Sequence, residues 1–198
     1  MQKERKEWMQ SWCDDTCEND LPRVLLIGDS ITRGYESKVR ARLQGFCYVD
    51  YVATSYAVDS PIYAKLMKSF VDDSRYALVH FNHGLHGIHM TKRTYKSGIK
   101  KLLLKIGKDK KMILATTTVV YHGRSKRKHG AWMKRVRERN DAIKEIASDL
   151  NFAVDDLYSV SQEIPFEKRA IDGTHYMDDG YEILADAVAE SIKNLLKE

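Results

Sequence analysis

Cysteine, proline and long apolar runs are all scarce in this chain, and each scarcity excludes something. Three cysteines in 198 residues, Cys13, Cys17 and Cys47, form an odd and sparse set, which argues against a disulfide framework and for a reducing compartment. Cys13 and Cys17 also lack the matching second pair that a zinc site needs. Three prolines, with no Pro/Gly-rich or low-complexity tract, leave no linker at which the chain would divide. No stretch approaches the roughly 18 to 20 apolar residues of a membrane span. The opening MQKERKEWMQSW is charged throughout and has no apolar signal region. The expectation is a cytoplasmic protein without membrane insertion.

What is present fits one globular domain: 43% hydrophobic and 31% charged residues are ordinary usage. The net charge of +5 is unevenly spread. Between His122 and Arg139 stand eight Lys/Arg (Arg124, Lys126, Arg127, Lys128, Lys134, Arg135, Arg137, Arg139) against one acid, Glu138. A solvated loop and helix face accounts for this run. With no nucleic-acid-binding motif beside it, nucleic acid is not favoured as a partner.

Residues 1–20 are expected to form a helical appendage, Trp8 and Trp12 sharing a helix face, before a main domain over 21–198. From Arg23 the pattern is regular: apolar runs that suit buried strands (24–28, 47–53, 76–81, 112–118, 152–154) alternate with helical patterns (36–43, 60–70, 91–106, 132–150, 179–196). Such alternation implies right-handed βαβ crossovers and a three-layer α/β/α domain around a parallel sheet. Ligands settle outside the carboxyl ends of such strands. Those positions hold Gly28-Asp29-Ser30, Thr54-Ser55, Asn82-His83-Gly84 and Thr116-Thr117-Thr118.

Ser30 falls at a strand-to-helix turn, where unpaired backbone N–H groups and the positive end of a helix favour a nearby oxyanion. A serine hydroxyl needs a base to take its proton, and the base works best when a carboxylate fixes its tautomer. Asp172-Gly173-Thr174-His175 can supply both within one turn. Taken singly, Gly-Asp-Ser and Asp-x-x-His also read as helix caps; together they carry more weight. His80, His83, His86 and His89 recur every third residue. They span a strand end, a turn and a helix start, so they would not share one side, and neither a metal nor a cofactor is expected. The Gly-x-Ser-x-Gly elbow of α/β-hydrolases is missing, Thr32 standing in the last place.

IGDSITRGY resembles the first block of the SGNH (GDSL-like) hydrolases and DGTHYMDDGYEILA their last, with FNHGLHG, ATTTV and Arg139-Asn140 between. It is similar to a branch of carbohydrate O-acetylesterases. The resemblance implies a flavodoxin-like sheet of about five parallel strands in the order 2-1-3-4-5. It also implies a triad of Ser30, His175 and Asp172, and an oxyanion hole from the Ser30 amide, a second-block amide and a third-block asparagine. Ser55 takes the second-block glycine place and Asn82 is nominated in the third, with a neighbouring histidine or backbone group as the alternative. Asp29, His83, His86 and Thr117 are expected around the pocket.

The leading expectation is a serine esterase acting on small acyl esters, acetylated oligosaccharides being the favoured substrates. Two alternatives stand beside it: a lysophospholipase or thioesterase of the same family, and a non-catalytic binding domain on the same fold. The oligomeric state stays open.

Overall fold

The computed structural model describes residues 3–72, 75–107 and 110–197. Its strands are Met9–Trp12 (β1), Arg23–Gly28 (β2), Tyr48–Thr54 (β3), Tyr76–Asn82 (β4), Lys111–Ala115 (β5), Tyr121–His122 (β6), Ser125–Lys128 (β7) and Ala153–Asp155 (β8). The helices are Ser30–Leu43 (α1), Pro61–Val71 (α2), Lys92–Ile106 (α3), Gly130–Leu150 (α4), Leu157–Glu163 (α5) and Asp178–Lys197 (α6).

Every residue of β2 is buried, as a central strand covered on both faces requires. Its side chains alternate between two cores. Val24 and Leu26 meet Tyr35 and Val39 of α1 and Leu184 and Val188 of α6. Leu25 and Ile27 meet Met67 of α2, Ile99 of α3 and Ile146 of α4. The result is a three-layer α/β/α sandwich around a six-stranded sheet, ordered β1-β3-β2-β4-β5-β8. The five strands from β2 onward are mutually parallel and, renumbered from β2, take the order 2-1-3-4-5. The expected fold stands.

The amino-terminal expectation needs correction. Met9–Trp12 is a strand, paired antiparallel with β3 from Met9 opposite Thr54 to Trp12 opposite Tyr51, and residues 1 and 2 lie outside the described part. Two tryptophans four apart suit a helix face, but the open edge of β3 offers backbone partners that a lone amphipathic turn cannot match. The segment covers the edge of β3 from Tyr51 to Thr54 and is fastened beyond both ends of that pairing. At the far end Arg23, buried, donates to Asp50 Oδ1 at 2.8 Å and to the Asp15 and Glu18 carbonyls at 2.9 and 3.3 Å. At the carboxyl end Trp8 N–H donates to Ser55 Oγ at 2.8 Å. The fourth run, 112–118, also ends early, β5 stopping at Ala115; the β6–β7 hairpin and α5 were not expected.

Candidate active site

Ser30 is the first residue of α1, directly beyond β2. The turn is tight: a Cβ on Gly28 would lie 1.8 Å from Thr32 Oγ1 and 2.6 Å from the Asn82 carbonyl oxygen, so only glycine fits. Asp29 caps the helix, Oδ1 accepting from Ile31 N–H at 3.0 Å, while Oδ2 accepts from Gly84 N–H at 3.2 Å and Leu85 N–H at 3.1 Å. This carboxylate, expected at the pocket, is buried beneath it and ties the β2 and β4 loops together.

His175 reaches Ser30 from the other end of the chain. Its Nε2 lies 2.7 Å from Ser30 Oγ and its Nδ1 lies 2.6 Å from Asp172 Oδ2. Asp172 Oδ1 accepts from the Thr174 and His175 N–H groups, both at 2.9 Å. Partial burial works against ionisation of Asp172, but the bond from the His175 ring and these two amides outweigh it and hold the carboxyl below its ordinary range. Gly173, at φ +75°, makes the turn possible, since a Cβ there would stand 2.6 Å from the Tyr121 carbonyl oxygen.

Two features carry that turn to Ser30. Gly34 of α1 lets α6 approach closely, because a Cβ on it would fall 2.1 Å from the Tyr181 ring. Arg169, buried, lies between the Tyr121 and Tyr176 rings at 4.5 and 4.7 Å and donates to the Ser161 carbonyl. The pairing of Arg169 with Tyr176 and the Ala170 N–H bond to the His175 carbonyl, 2.9 Å, close the loop. Sequence reading missed Arg169. It also gave Arg139 no role, although this buried guanidinium donates to the carbonyls of Gly84, His86 and Gly87. Nothing in a basic run separates a buried arginine from solvated ones; only Arg139's place beside Asn140 hinted at it.

The nominated oxyanion donors fare unequally. Ser55 is not one in this arrangement: its N–H donates to the Trp8 carbonyl at 3.1 Å, because the amino-terminal strand continues its pairing to that residue. Asn82 gives one Nδ2 hydrogen to the buried Tyr35 hydroxyl at 3.2 Å, which in turn lies 3.0 Å from Thr32 Oγ1. Thr117 is held through its backbone, N–H to Asn140 Oδ1 at 2.7 Å and carbonyl from Asn140 Nδ2 at 3.0 Å.

The four regularly spaced histidines share no common partner, although the His83 and His86 rings stack at 6.0 Å between centroids. His80 meets Asp155 at 3.0 Å, His86 meets Glu4 at 2.8 Å and His89 meets Asp59 at 2.9 Å. His83 is buried against Tyr63, ring centroids 4.6 Å apart. Burial first, and then the nearby His86 and Arg139, pull His83 down to about 4 despite Asp29, so it is neutral near pH 7.

Compared as sequence alone, the chain matches no protein-family model and no curated protein. Compared as a structure it has many counterparts. A lipase/acylhydrolase from Enterococcus faecalis superposes with a TM-score of 0.71 at 22% identity, over 87% of this chain and 96% of the other. An acetylxylan esterase from Geobacillus stearothermophilus gives 0.71 at 18% identity, over 86% and 94%. A GDSL-like lipase from Bacteroides thetaiotaomicron gives 0.67 at 16% identity, over 87% and 88%. The fold is that of the GDSL-like hydrolases. On this GDSL-like frame the strand-end loops after β2 and before α6 converge at one rim, which is where Ser30 and His175 meet.

Proposed function

We propose that this chain is a serine esterase that hydrolyses small acyl esters, acetyl esters of carbohydrates foremost, through Ser30, His175 and Asp172. One observation carries the reading: an unbroken hydrogen-bonded line from Ser30 Oγ through both nitrogens of His175 to Asp172 Oδ2, at 2.7 and 2.6 Å. Ser30 Oγ attacks the acyl carbon as His175 Nε2 takes its proton. The alkoxide leaves as the carbon–oxygen bond breaks, and His175 returns that proton to it. Water then attacks the acyl-enzyme by the same route, releasing the acid and restoring Ser30. Asp172 holds the imidazole tautomer and balances the imidazolium.

The Ser30 N–H, in the first turn of α1, is the first donor to the tetrahedral oxyanion, and the remaining Nδ2 hydrogen of Asn82 is the second. The acetyl preference draws on two supports, the sequence resemblance and the esterases among the structural counterparts.

A fluorophosphonate probe is expected to label Ser30. Ser30→Ala is expected to lose both labelling and p-nitrophenyl acetate turnover while keeping its melting temperature; turnover retained by that variant would refute the assignment. An acyl-length series separates acetylesterase from lipolytic readings. Rates falling steeply beyond acetyl support the first, and rates rising with length support the second.

A further inference from the structure

The triad does not account for the basic hairpin packed against it. Tyr121 N–H donates to the Gly173 carbonyl at 2.9 Å, so β6 is joined to the turn that carries Asp172 and His175. Gly123 approaches from the same side, with the Ile171 carbonyl 3.8 Å from where its Cβ would be. The root of the hairpin is fixed by Tyr121, which packs on Arg169 and on Phe166 at 5.4 Å between ring centroids.

Beyond that root the hairpin is charged and open. Arg124, Lys126 and Arg127 are exposed, and none of them pairs with a carboxylate among the described residues. Lys128 reaches only the neutral Gln162 Oε1, at 2.9 Å. Three lysines of α3 behave differently, each reaching a carboxylate of α4: Lys92 and Lys96 meet Glu145 at 2.7 and 2.6 Å, and Lys100 meets Asp149 at 2.7 Å. An unneutralised set of cations beside a reaction centre draws anionic ligands and raises their local concentration.

We infer that the β6–β7 hairpin holds an anionic sugar chain whose acyl ester lies at Ser30, so that the substrates are esters of acidic carbohydrates; this rests on the esterase reading above. Alternate residues of a strand face opposite ways, so β7 offers cations on both sides of an exposed ribbon, which suits repeated charges on an extended chain. Next to Arg124 lies an open hollow of about 410 Å³ bordered by Phe166, Ile171 and Met177, with Glu167 its one carboxylate. Apolar side chains beside a cation suit a sugar ring that carries an acid group. Single-stranded nucleic acid is disfavoured because the hairpin's two rings are already engaged, Tyr121 by the Arg169 guanidinium and the Phe166 edge and His122 by stacking on His129. A lipid surface is disfavoured because only Ile171 and Met177 project here.

The test compares acetate release from chemically acetylated alginate, a polyuronate, with release from chemically acetylated xylan, each divided by p-nitrophenyl acetate turnover. For the parent, the alginate ratio is expected to fall between about 50 and about 500 mM salt, as screening shortens the reach of the charges. Arg124→Ala/Lys126→Ala/Arg127→Ala is expected to lower it about tenfold, within the range of electrostatic steering, with the xylan ratio unmoved. Arg124→Lys/Arg127→Lys is expected to keep the parent ratio. Equal alginate ratios in parent and triple variant, or a loss shared by xylan, overturn the inference.

Binding of unacetylated alginate to the Ser30→Ala protein, followed by electrophoretic retardation, separates the two readings. Binding lost with the triple change supports the surface even where no ester is cleaved, a result that would remove the esterase reading alone. Binding indifferent to the triple change removes the surface whatever the enzyme does. Tighter binding of DNA or of phosphatidylserine vesicles than of alginate at equal salt overturns the carbohydrate assignment.

Discussion

Asp172 accepts from its own turn three times yet remains about half exposed, its side chain at 49%. Replacing it with Asn keeps the shape but places an amide where the carboxylate fixed the His175 tautomer. Asp172→Asn is expected to lower kcat for p-nitrophenyl acetate by about 10² to 10⁴, the upper bound being the loss known for a fully buried triad aspartate. Fluorophosphonate labelling of Ser30 should slow with it; unchanged kinetics would remove Asp172 from the mechanism. The same residue sets a pH dependence of stability. Its folded pKa lies below the ordinary 3.8, so its contribution is complete above that value and is lost as pH falls through the lower folded one. The melting-temperature gap between parent and Asp172→Asn should therefore be widest near neutrality and close in strong acid.

Ser30 and the Asp172–His175 pair were legible in sequence because each belongs to a short turn whose residues signal one another. Arg139 and Arg169 were not. A guanidinium that serves backbone carbonyls leaves no local pattern, since its acceptors are main-chain atoms that any residue could supply. Ser55 was misjudged for a related reason: what occupies its N–H is the Trp8 carbonyl, from 47 positions away in sequence.

Among the elements, α1 and α6 decide whether Ser30 meets His175, because Ser30 opens α1 and the Asp172–His175 turn leads directly into α6. The two helices meet where Gly34 faces Tyr181, with no room for even one more carbon. Gly34→Val is expected to destabilise by about 1 to 3 kcal/mol through overpacking. It is also expected to lower turnover by about a hundredfold, since a displacement near 1 Å is enough to spoil proton transfer. Thermal melts and p-nitrophenyl acetate kinetics measure both. Pairing Gly34→Ala with Tyr181→Ala should recover more stability than the sum of the single changes allows, whereas strict additivity would mean that this contact does not govern the packing. The parallel strands were readable because burial on both faces makes them continuous apolar runs. β1 was not, because an exposed strand of four residues has no buried face to mark it, and helical spacing of Trp8 and Trp12 pointed elsewhere.

For the molecule as a whole, the amino-terminal segment closes one edge of the sheet and reaches the rim of the site. Without it β3 would present a row of unpaired N–H and C=O groups, the usual route to edge-to-edge association. Its outer end is fastened by Glu4 and His86. Burial opposes both charges and is the largest single influence, but their mutual hydrogen bond and charge attraction, with a Gly87 backbone bond to Glu4, together outweigh it, lowering Glu4 from 4.5 and raising His86 from 6.5. Asp29 also favours the charged His86 and Arg139 opposes it. For Glu4 the stabilisation is complete above 4.5 and lost as pH falls through the lowered value. For His86 it is complete below 6.5 and lost as pH rises through the raised one. The fastening is therefore full between those two values and weakens on either side. Hydrogen exchange at the Trp8 and Ser55 amides, corrected for intrinsic rates, is expected to be slower at about pH 6 than at about pH 9. Glu4→Gln should flatten that difference, and removal of residues 1–12 should bring concentration-dependent light scattering as the β3 edge opens. Equal protection at both pH values, with a truncated chain that stays monodisperse, would mean that the segment lies on the sheet without securing it.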